Sequence, residues 1–485
     1  VQEMDSLDEF RSKHNENREN KRWTAIEFTE LLKEVEKGGE DDAVGVLVRF
    51  NAIDLEEVDA SDATNDAAME LIRVSLVKVS VVTLLLKLQP FLLNLLSSPL
   101  LAKFKLKLIH RLNQEKQLVQ KALKEESVAT AVALARVLPE EELVGEVSSL
   151  IAPVFTQPEV LRELLHQLET QPSRLHLYQA MGEAMSLGIV GEEMKPFLMR
   201  MKDDLASNDF LLQLASFDLL SDMIIKCNPP TSLMVQMLID LFGTEVYKLF
   251  ESNRNAPDGG FLYAGAQKCL CELVSHSPSS LELFPSLFPS ICQQVLNFSS
   301  LDAIQRARSF DLFVLLGRTA EGKSILLSPS HSSHTLQCMQ QFSSAIQSSP
   351  VEMKARHIDA LAFLMKDGDG KDVERLLTAI GPSFLSDTVT LSTRPFPELR
   401  VAVYELWMNL LAFPNIIPLF LGTPDFLSWL IPYKGQSWAD HQAWRDICER
   451  LIKFEGTDKV MVDRIKAAIV QQDNPQAEPT VALGV

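Results

Sequence analysis

Aromatic side chains with polar tips are scarce in this 485-residue chain, which carries five Tyr and five Trp. Leucine dominates the apolar content instead, and a leucine-rich, aromatic-poor core favours helices over sheets. Cysteine is scarce too. Cys227, Cys269, Cys271, Cys292, Cys338 and Cys448 stand at irregular spacings, which excludes a disulfide framework and fits a reducing compartment. With 20 Gly and 24 Pro, collagen-like and wholly disordered chains are excluded. Long apolar runs are missing as well. The 15 uncharged residues between Lys87 and Lys103 include Pro90, Asn94, Ser97, Ser98 and Pro99, too short and too broken a run to span a bilayer. The opening Val1-Gln-Glu-Met-Asp5 lacks the basic-then-apolar pattern of a signal peptide. A soluble protein of the cytoplasm is therefore expected, with the nucleus as a second compartment, and the sequon Asn297-Phe-Ser299 is expected to stay bare.

What is present is length, apolar content and acid. A chain of this length is too long for one compact core and reads as several domains or a repeat array. The formal net charge of −19 argues against nucleic acid as the main partner, because phosphate binding needs a basic stripe. The charge is uneven. Residues 1–70 hold 20 Asp/Glu against 8 Lys/Arg, whereas residues 71–125 hold 10 Lys/Arg against 2 Asp/Glu. This predicts an acidic N-terminal region lying against a basic first repeat, with a membrane or RNA patch as the alternative use of the lysines.

Helical periodicity is clearest over residues 195–455. In Pro395-Phe-Pro-Glu-Leu399 the prolines and Glu398 suit a helix entrance, and Leu399, Ala402, Val403, Leu406 and Leu410 then draw one apolar stripe. A small residue sits early in such a stripe at Ala215, Ala266, Ala307, Ala355, Ala402 and Ala443. Most of the intervals match HEAT or armadillo units of about 40–47 residues, and a small residue there admits a closely packed partner helix. The β-branched stretch Val74–Thr83 reads as a strand on propensity alone but is expected to be helical in so helical an array. The expected fold is an all-α, HEAT/armadillo-type right-handed superhelical solenoid. Residues 1–60 are expected as an acidic region, partly disordered or first helices, 61–470 as the solenoid and 471–485 as a polar tail.

An acid follows five of the six small residues by three or four positions, at Asp218, Asp311, Asp359, Glu405 and Asp446, with Arg308, Arg356, Arg400 and Arg445 nearby. At that spacing the acids fall near one helix face, so stacked repeats form either an inter-repeat ladder or a surface for a partner. For partner contact the candidates are Arg356, Asp359, Arg400 and Glu405, taken as exposed polar positions.

The sharpest literal motif is Gly317-Arg-Thr-Ala-Glu-Gly-Lys-Ser324, a formal P-loop match that raises an ATP-using enzyme as a hypothesis. A P-loop needs a strand before its glycine-rich turn, but Phe310–Leu316 continues a helical pattern, so the match reads as chance. Asp367-Gly-Asp-Gly-Lys-Asp372 hints at a calcium loop, yet Asp372 and Thr378 stand where Gly and Glu are required, which leaves a polar turn. His331, His334 and Cys338, like the pair Cys269 and Cys271, fall short of four zinc ligands. No catalytic group, metal or cofactor is expected.

The C-terminal half resembles a known family. Glu321-Gly-Lys-Ser-Ile-Leu326, Pro350-Val-Glu-Met-Lys-Ala-Arg356 with Asp359-Ala360, Pro395-Phe-Pro-Glu-Leu399 and Pro424-Asp-Phe426 are similar to segments of the 26S proteasome non-ATPase regulatory subunit 5 family. The resemblance covers roughly residues 200–432, with Pro-Phe-Pro-Glu-Leu its most specific piece. It implies a non-enzymatic chaperone for assembly of the base of the 19S regulatory particle, a monomer when free. Such a chaperone binds the C-terminal domain of an AAA ATPase subunit through its curved face and delays docking on the core particle. A general armadillo-type adaptor in transport or signalling is the competing expectation.

Overall fold

The computed structural model describes residues 25–51, 62–97, 102–125, 127–171, 173–226, 232–254, 260–431 and 438–473. Residues 1–24 and 52–61, on which part of the expectation for the acidic region rests, Cys227 and most of the C-terminal tail lie outside them. Among the described residues every regular element is helical. The chain divides into two units, Val1–Pro229 and Pro230–Val485.

Unit 1 contains α1 (Ala25–Lys37), α2 (Glu40–Asn51), α3 (Asp62–Lys78), α4 (Val81–Leu86), α5 (Gln89–Ser97), α6 (Ala102–Gln114) and α7 (Lys116–Glu125). It continues through α8 (Val128–Val137), α9 (Val144–Ile151), α10 (Pro158–Thr170), α11 (Leu175–Ser186), α12 (Lys195–Leu205) and α13 (Phe210–Lys226). Three rows of like helices stack. One row runs α2–α5–α8–α10, a second α6–α9–α11–α13, and the short α4 and α7 start a third.

The β-branched stretch is helical to Lys78 and again from Val81. Within its helical parts Ser75 and Val81 are fully buried and Leu76 is buried too, so burial on a helix face overrides strand propensity. Ser80 interrupts the run and caps α4, its hydroxyl accepting from Thr83 N at 3.3 Å.

Part of the basic block is consumed inside unit 1. Lys78 Nζ donates to the carbonyls of Val35, Glu36 and Gly38 at 2.7–2.9 Å, closing the C-terminal end of α1. Lys105 pairs with Glu140 at 2.7 Å, and Arg111 donates to the Val79 carbonyl. The acidic start of α2 meets the same block: Glu40 accepts from Ser80 N at 2.8 Å. That backbone bond, bonds from the Thr83 and Ser80 hydroxyls, and the Lys87 charge hold the Glu40 carboxyl below the usual range.

Unit 2 opens with α14 (Ser232–Leu238), a π segment (Ile239–Gly243) and α15 (Thr244–Asn253). Then come α16 (Gly260–His276), a 3-10 segment (Pro278–Leu283), α17 (Leu287–Leu296), α18 (Ala303–Leu316), α19 (Ala320–Leu326), α20 (Ser332–Ser348) and α21 (Val351–Leu364). It ends with α22 (Gly370–Ile380), α23 (Phe384–Ser392), α24 (Pro397–Leu410), α25 (Ile417–Leu421), α26 (Pro424–Leu430), α27 (Trp438–Lys453) and α28 (Lys459–Asp473).

The repeat is three helices long. A short first element (Pro278–Leu283, α19, α22, α25) precedes a middle helix (α17, α20, α23, α26) and a third helix (α18, α21, α24, α27). Three helices per unit are the armadillo form of the expected HEAT/armadillo solenoid. The third helices stack in the order α16–α18–α21–α24–α27. Ala266, Ala307, Ala355 and Ala402, each at most 6% exposed, lie in that seam, where small side chains let the helices approach. Ala215 and Ala443 occupy α13 and α27 and are half-buried. In α24 the whole predicted stripe is buried, and Trp407 beside it donates its indole N–H to Thr388 Oγ1 at 2.9 Å.

Candidate functional site: the third-helix face of unit 2

Each junction between third helices carries a polar staple, and the staples differ. At α16–α18 an Arg308 Nη donates to the Ala264 carbonyl. At α18–α21 Arg356 Nη2 meets Asp311 Oδ2 at 2.6 Å in an exposed ion pair. At α21–α24 Asn409 Nδ2 donates to the Ala362 carbonyl at 2.8 Å. At α24–α27 Arg400 and Asp440 form two bonds, Nη2–Oδ2 at 3.1 Å and Nε–Oδ1 at 3.4 Å, while Arg450 Nη1 donates to the Met408 carbonyl at 2.7 Å.

The four partner-contact candidates separate accordingly. Arg356 is exposed but tied to Asp311. Arg400 is only 4% exposed, so the expectation that it is an exposed position is corrected. A guanidinium at that depth needs a carboxylate to offset its lost hydration, and Asp440 at 2% exposure supplies it. Nη1 of Arg400 also donates to the Arg394 carbonyl at 3.0 Å. Asp359 and Glu405 are both exposed and belong to adjacent helices, α21 and α24. Neither forms an ion pair among the described residues. Partial burial first, and the Glu405 charge second, push the Asp359 carboxyl up. Of the predicted line of acids, Asp311 is therefore neutralised, whereas the Asp359–Glu405 pair leaves negative charge facing solvent. Arg445 bonds within its own helix, to Glu449 at 3.5 Å.

The sequence reading missed the apolar component of this face. Ile304 on α18 is 81% exposed, Phe261 on α16 72% and Val401 on α24 52%. Scattered exposed apolar residues are ordinary, but these recur on the same row of helices as the unpaired acids. The signal was available: Phe261 and Ile304 each stand second in their helix, off the apolar stripe.

The P-loop look-alike is a helix cap. Phe310–Leu316 belongs to α18, Thr319 Oγ1 accepts from Gly322 N at 3.0 Å, and Lys323 is buried in α19 at 0% exposure. Burial pushes the Lys323 ammonium down to about 8, against the favourable charges of Asp367 and Asp372. Its tip donates to the Arg318 carbonyl at 3.4 Å and lies under Gly368, where an added Cβ would stand 3.1 Å from Lys323 Cδ. Gly368 also has φ +132°, so both its space and its backbone favour glycine. An enclosed lysine cannot reach a phosphate. The calcium look-alike supplies the turn that covers it, and Asp369 caps α22 by accepting from Lys371 N at 2.9 Å.

The candidate zinc residues do not converge. Cys338 is fully buried against the Cys292 carbonyl, whereas His334 is exposed and His331 bonds to the Ser328 and Ser330 hydroxyls. No group of three metal-ligand residues occurs among the described residues, and no helix there is long and apolar enough to cross a membrane.

A family model described as proteasome non-ATPase 26S subunit matches residues 8–469. That span takes in both units and extends well beyond the 200–432 of the sequence resemblance. A search of the curated proteins gives no match. Similar solved structures include a designed armadillo repeat protein at 13% identity and TM-score 0.33, covering 56% of this chain and 98% of that one. An engineered protein is similar at 14% identity and TM-score 0.41, with 80% and 94% covered. A mutant of Kap121p is similar at 12% identity and TM-score 0.42, with 90% of this chain and 47% of that one covered.

Proposed function

The chain belongs to the proteasome non-ATPase 26S subunit family, and on that premise we propose that it is a subunit 5-type assembly chaperone for the base of the 19S regulatory particle. Its partner in this reading is the C-terminal domain of an AAA ATPase subunit. The observation that carries the reading is the third-helix face of unit 2, a rigid stapled row on which Asp359 and Glu405 keep unneutralised charge beside exposed Val401. Stacked repeats suit such work because each adds a strip of contact surface to one frame.

The mechanism is steric and thermodynamic. Occupying the ATPase domain stabilises a partly built ring and obstructs docking on the core particle. Release follows when contacts within the completed ring outweigh those to the chaperone. No bond is made or broken in this mechanism, and the burial of Lys323 supports a reading without a P-loop step. The reading is tested by mixing the purified chain with isolated C-terminal domains of the base ATPases and following complex formation by gel filtration. A stable complex with one of them is expected, weakened by Asp359→Lys with Glu405→Lys. Failure to bind any of the domains contradicts the reading.

A further inference from the structure

We propose that Ser328 is a phosphorylation site for a proline-directed protein kinase, and that the phosphate docks on Arg375 and His331 to lock two successive repeats of unit 2 together. The sequence contains four Ser-Pro pairs, at Ser98, Ser277, Ser328 and Ser349. Ser98 lies outside the described residues. Pro278 is buried in its 3-10 segment, and Ser349 is itself buried at 5% exposure. At Ser328 the serine is half-buried, but Pro329 and Ser330 are exposed, in a turn that belongs to neither α19 nor α20. A kinase that reads serine followed by proline thus finds one accessible copy among the described Ser-Pro pairs.

The surroundings already suit a dianion. Ser328 Oγ lies 3.2 Å from His331 Nδ1, a ring nitrogen that can present N–H to a phosphate oxygen. Arg375, on the first helix of the next repeat, donates Nη1 to the Leu327 carbonyl at 3.3 Å, and that carbonyl carbon is bonded to the Ser328 nitrogen. The guanidinium therefore stands one peptide unit from the acceptor hydroxyl. It forms no ion pair among the described residues, so its remaining N–H groups are free for a bidentate phosphate contact. Phosphoserine here adds nearly two negative charges opposite an arginine and beside the first turn of the 17-residue α20. The bond it makes crosses from the α19–α20 turn to α22.

The chemistry is ordinary phosphoryl transfer from ATP on the kinase. Ser328 Oγ attacks the γ-phosphorus, the new Oγ–P bond forms, and the bond from that phosphorus to the β,γ-bridging oxygen breaks. ADP leaves and the hydroxyl proton passes to the kinase's base.

The test treats the folded full-length chain with a proline-directed kinase and MgATP, then maps phosphopeptides by mass spectrometry and measures thermal unfolding. Label is expected on Ser328 and absent in Ser328→Ala, with the melting temperature raised by about 2–4 °C. Arg375→Gln should accept the label and lose the rise. Should that variant fold poorly, Arg375→Lys serves in its place, with label retained and a smaller rise. Label on Ser330 or elsewhere in place of Ser328, or a phosphorylated chain whose melting is unchanged or lowered, overturns the proposal.

Discussion

The Arg400 guanidinium and the Asp440 carboxylate are joined by two bonds across the α24–α27 junction, at 5% and 2% side-chain exposure. The Arg356–Asp311 pair at α18–α21 has similar chemistry but 56% and 39% exposure. Depth makes these two pairs unequal. Removing one partner of a buried pair strands a charge and costs about 3–5 kcal/mol, while an exposed pair contributes about 0–1 kcal/mol. Arg400→Ala should lower stability severely and Arg356→Ala barely, as read by urea unfolding. Equal losses would contradict the assignment of Arg400 to the stack.

Asp359 should behave in the opposite way. A carboxyl whose folded pKa is raised loses stability as pH rises through its titration, so its charge opposes folding at neutral pH. Asp359→Asn is expected to leave the melting temperature unchanged or slightly higher while weakening partner binding. Lost stability with intact binding would return the pair to a structural role.

The row of helices that carries these residues was legible in the sequence. Ala266, Ala307, Ala355, Ala402 and Ala443 all fall on third helices of unit 2, and Ala215 on α13 of unit 1, because a close-packed seam demands a small side chain at a fixed place in each repeat. Which arginine pairs with which acid was not legible. Arg400 bypasses the predicted acids for Asp440, a choice set by where the α27 backbone comes to rest. Nor did periodicity show three helices per repeat, since first elements as short as Ile417–Leu421 hold too few residues to display a period. The unit boundary at Pro229 falls at Pro229-Pro230, the one Pro-Pro pair of the sequence, a punctuation that was readable.

Acid should unfold each unit through a buried histidine. His357 is 1% exposed with no partner for either ring nitrogen, and His176 is 8% exposed with none for Nε2. Burial, aided at His357 by the Arg306 and Arg356 charges, lowers both to about 4. The folded chain binds fewer protons than the unfolded one between that value and about 6.5. Stability is therefore full above about pH 6.5 and falls toward pH 4, by up to about 3 kcal/mol per histidine. His357→Gln should flatten this dependence in a pH series of urea melts.

Lys323 tests the reading of the P-loop match as chance. Its pKa of about 8 lies below that of an exposed lysine, so stability should rise between about pH 8 and 10.5. Lys323→Met, which keeps the stem and removes the buried charge, should raise the melting temperature and flatten that rise. Calorimetric titration with MgATP should show no binding by the parent chain. Measurable ATP affinity lost in Lys323→Met would revive the P-loop.

The central claim, that this solenoid holds a proteasomal ATPase during assembly, is tested most directly by affinity purification of the tagged chain from cells followed by mass spectrometry. Base ATPases of the regulatory particle should be recovered without the core particle. Recovery of transport cargo or signalling proteins without those ATPases would contradict it.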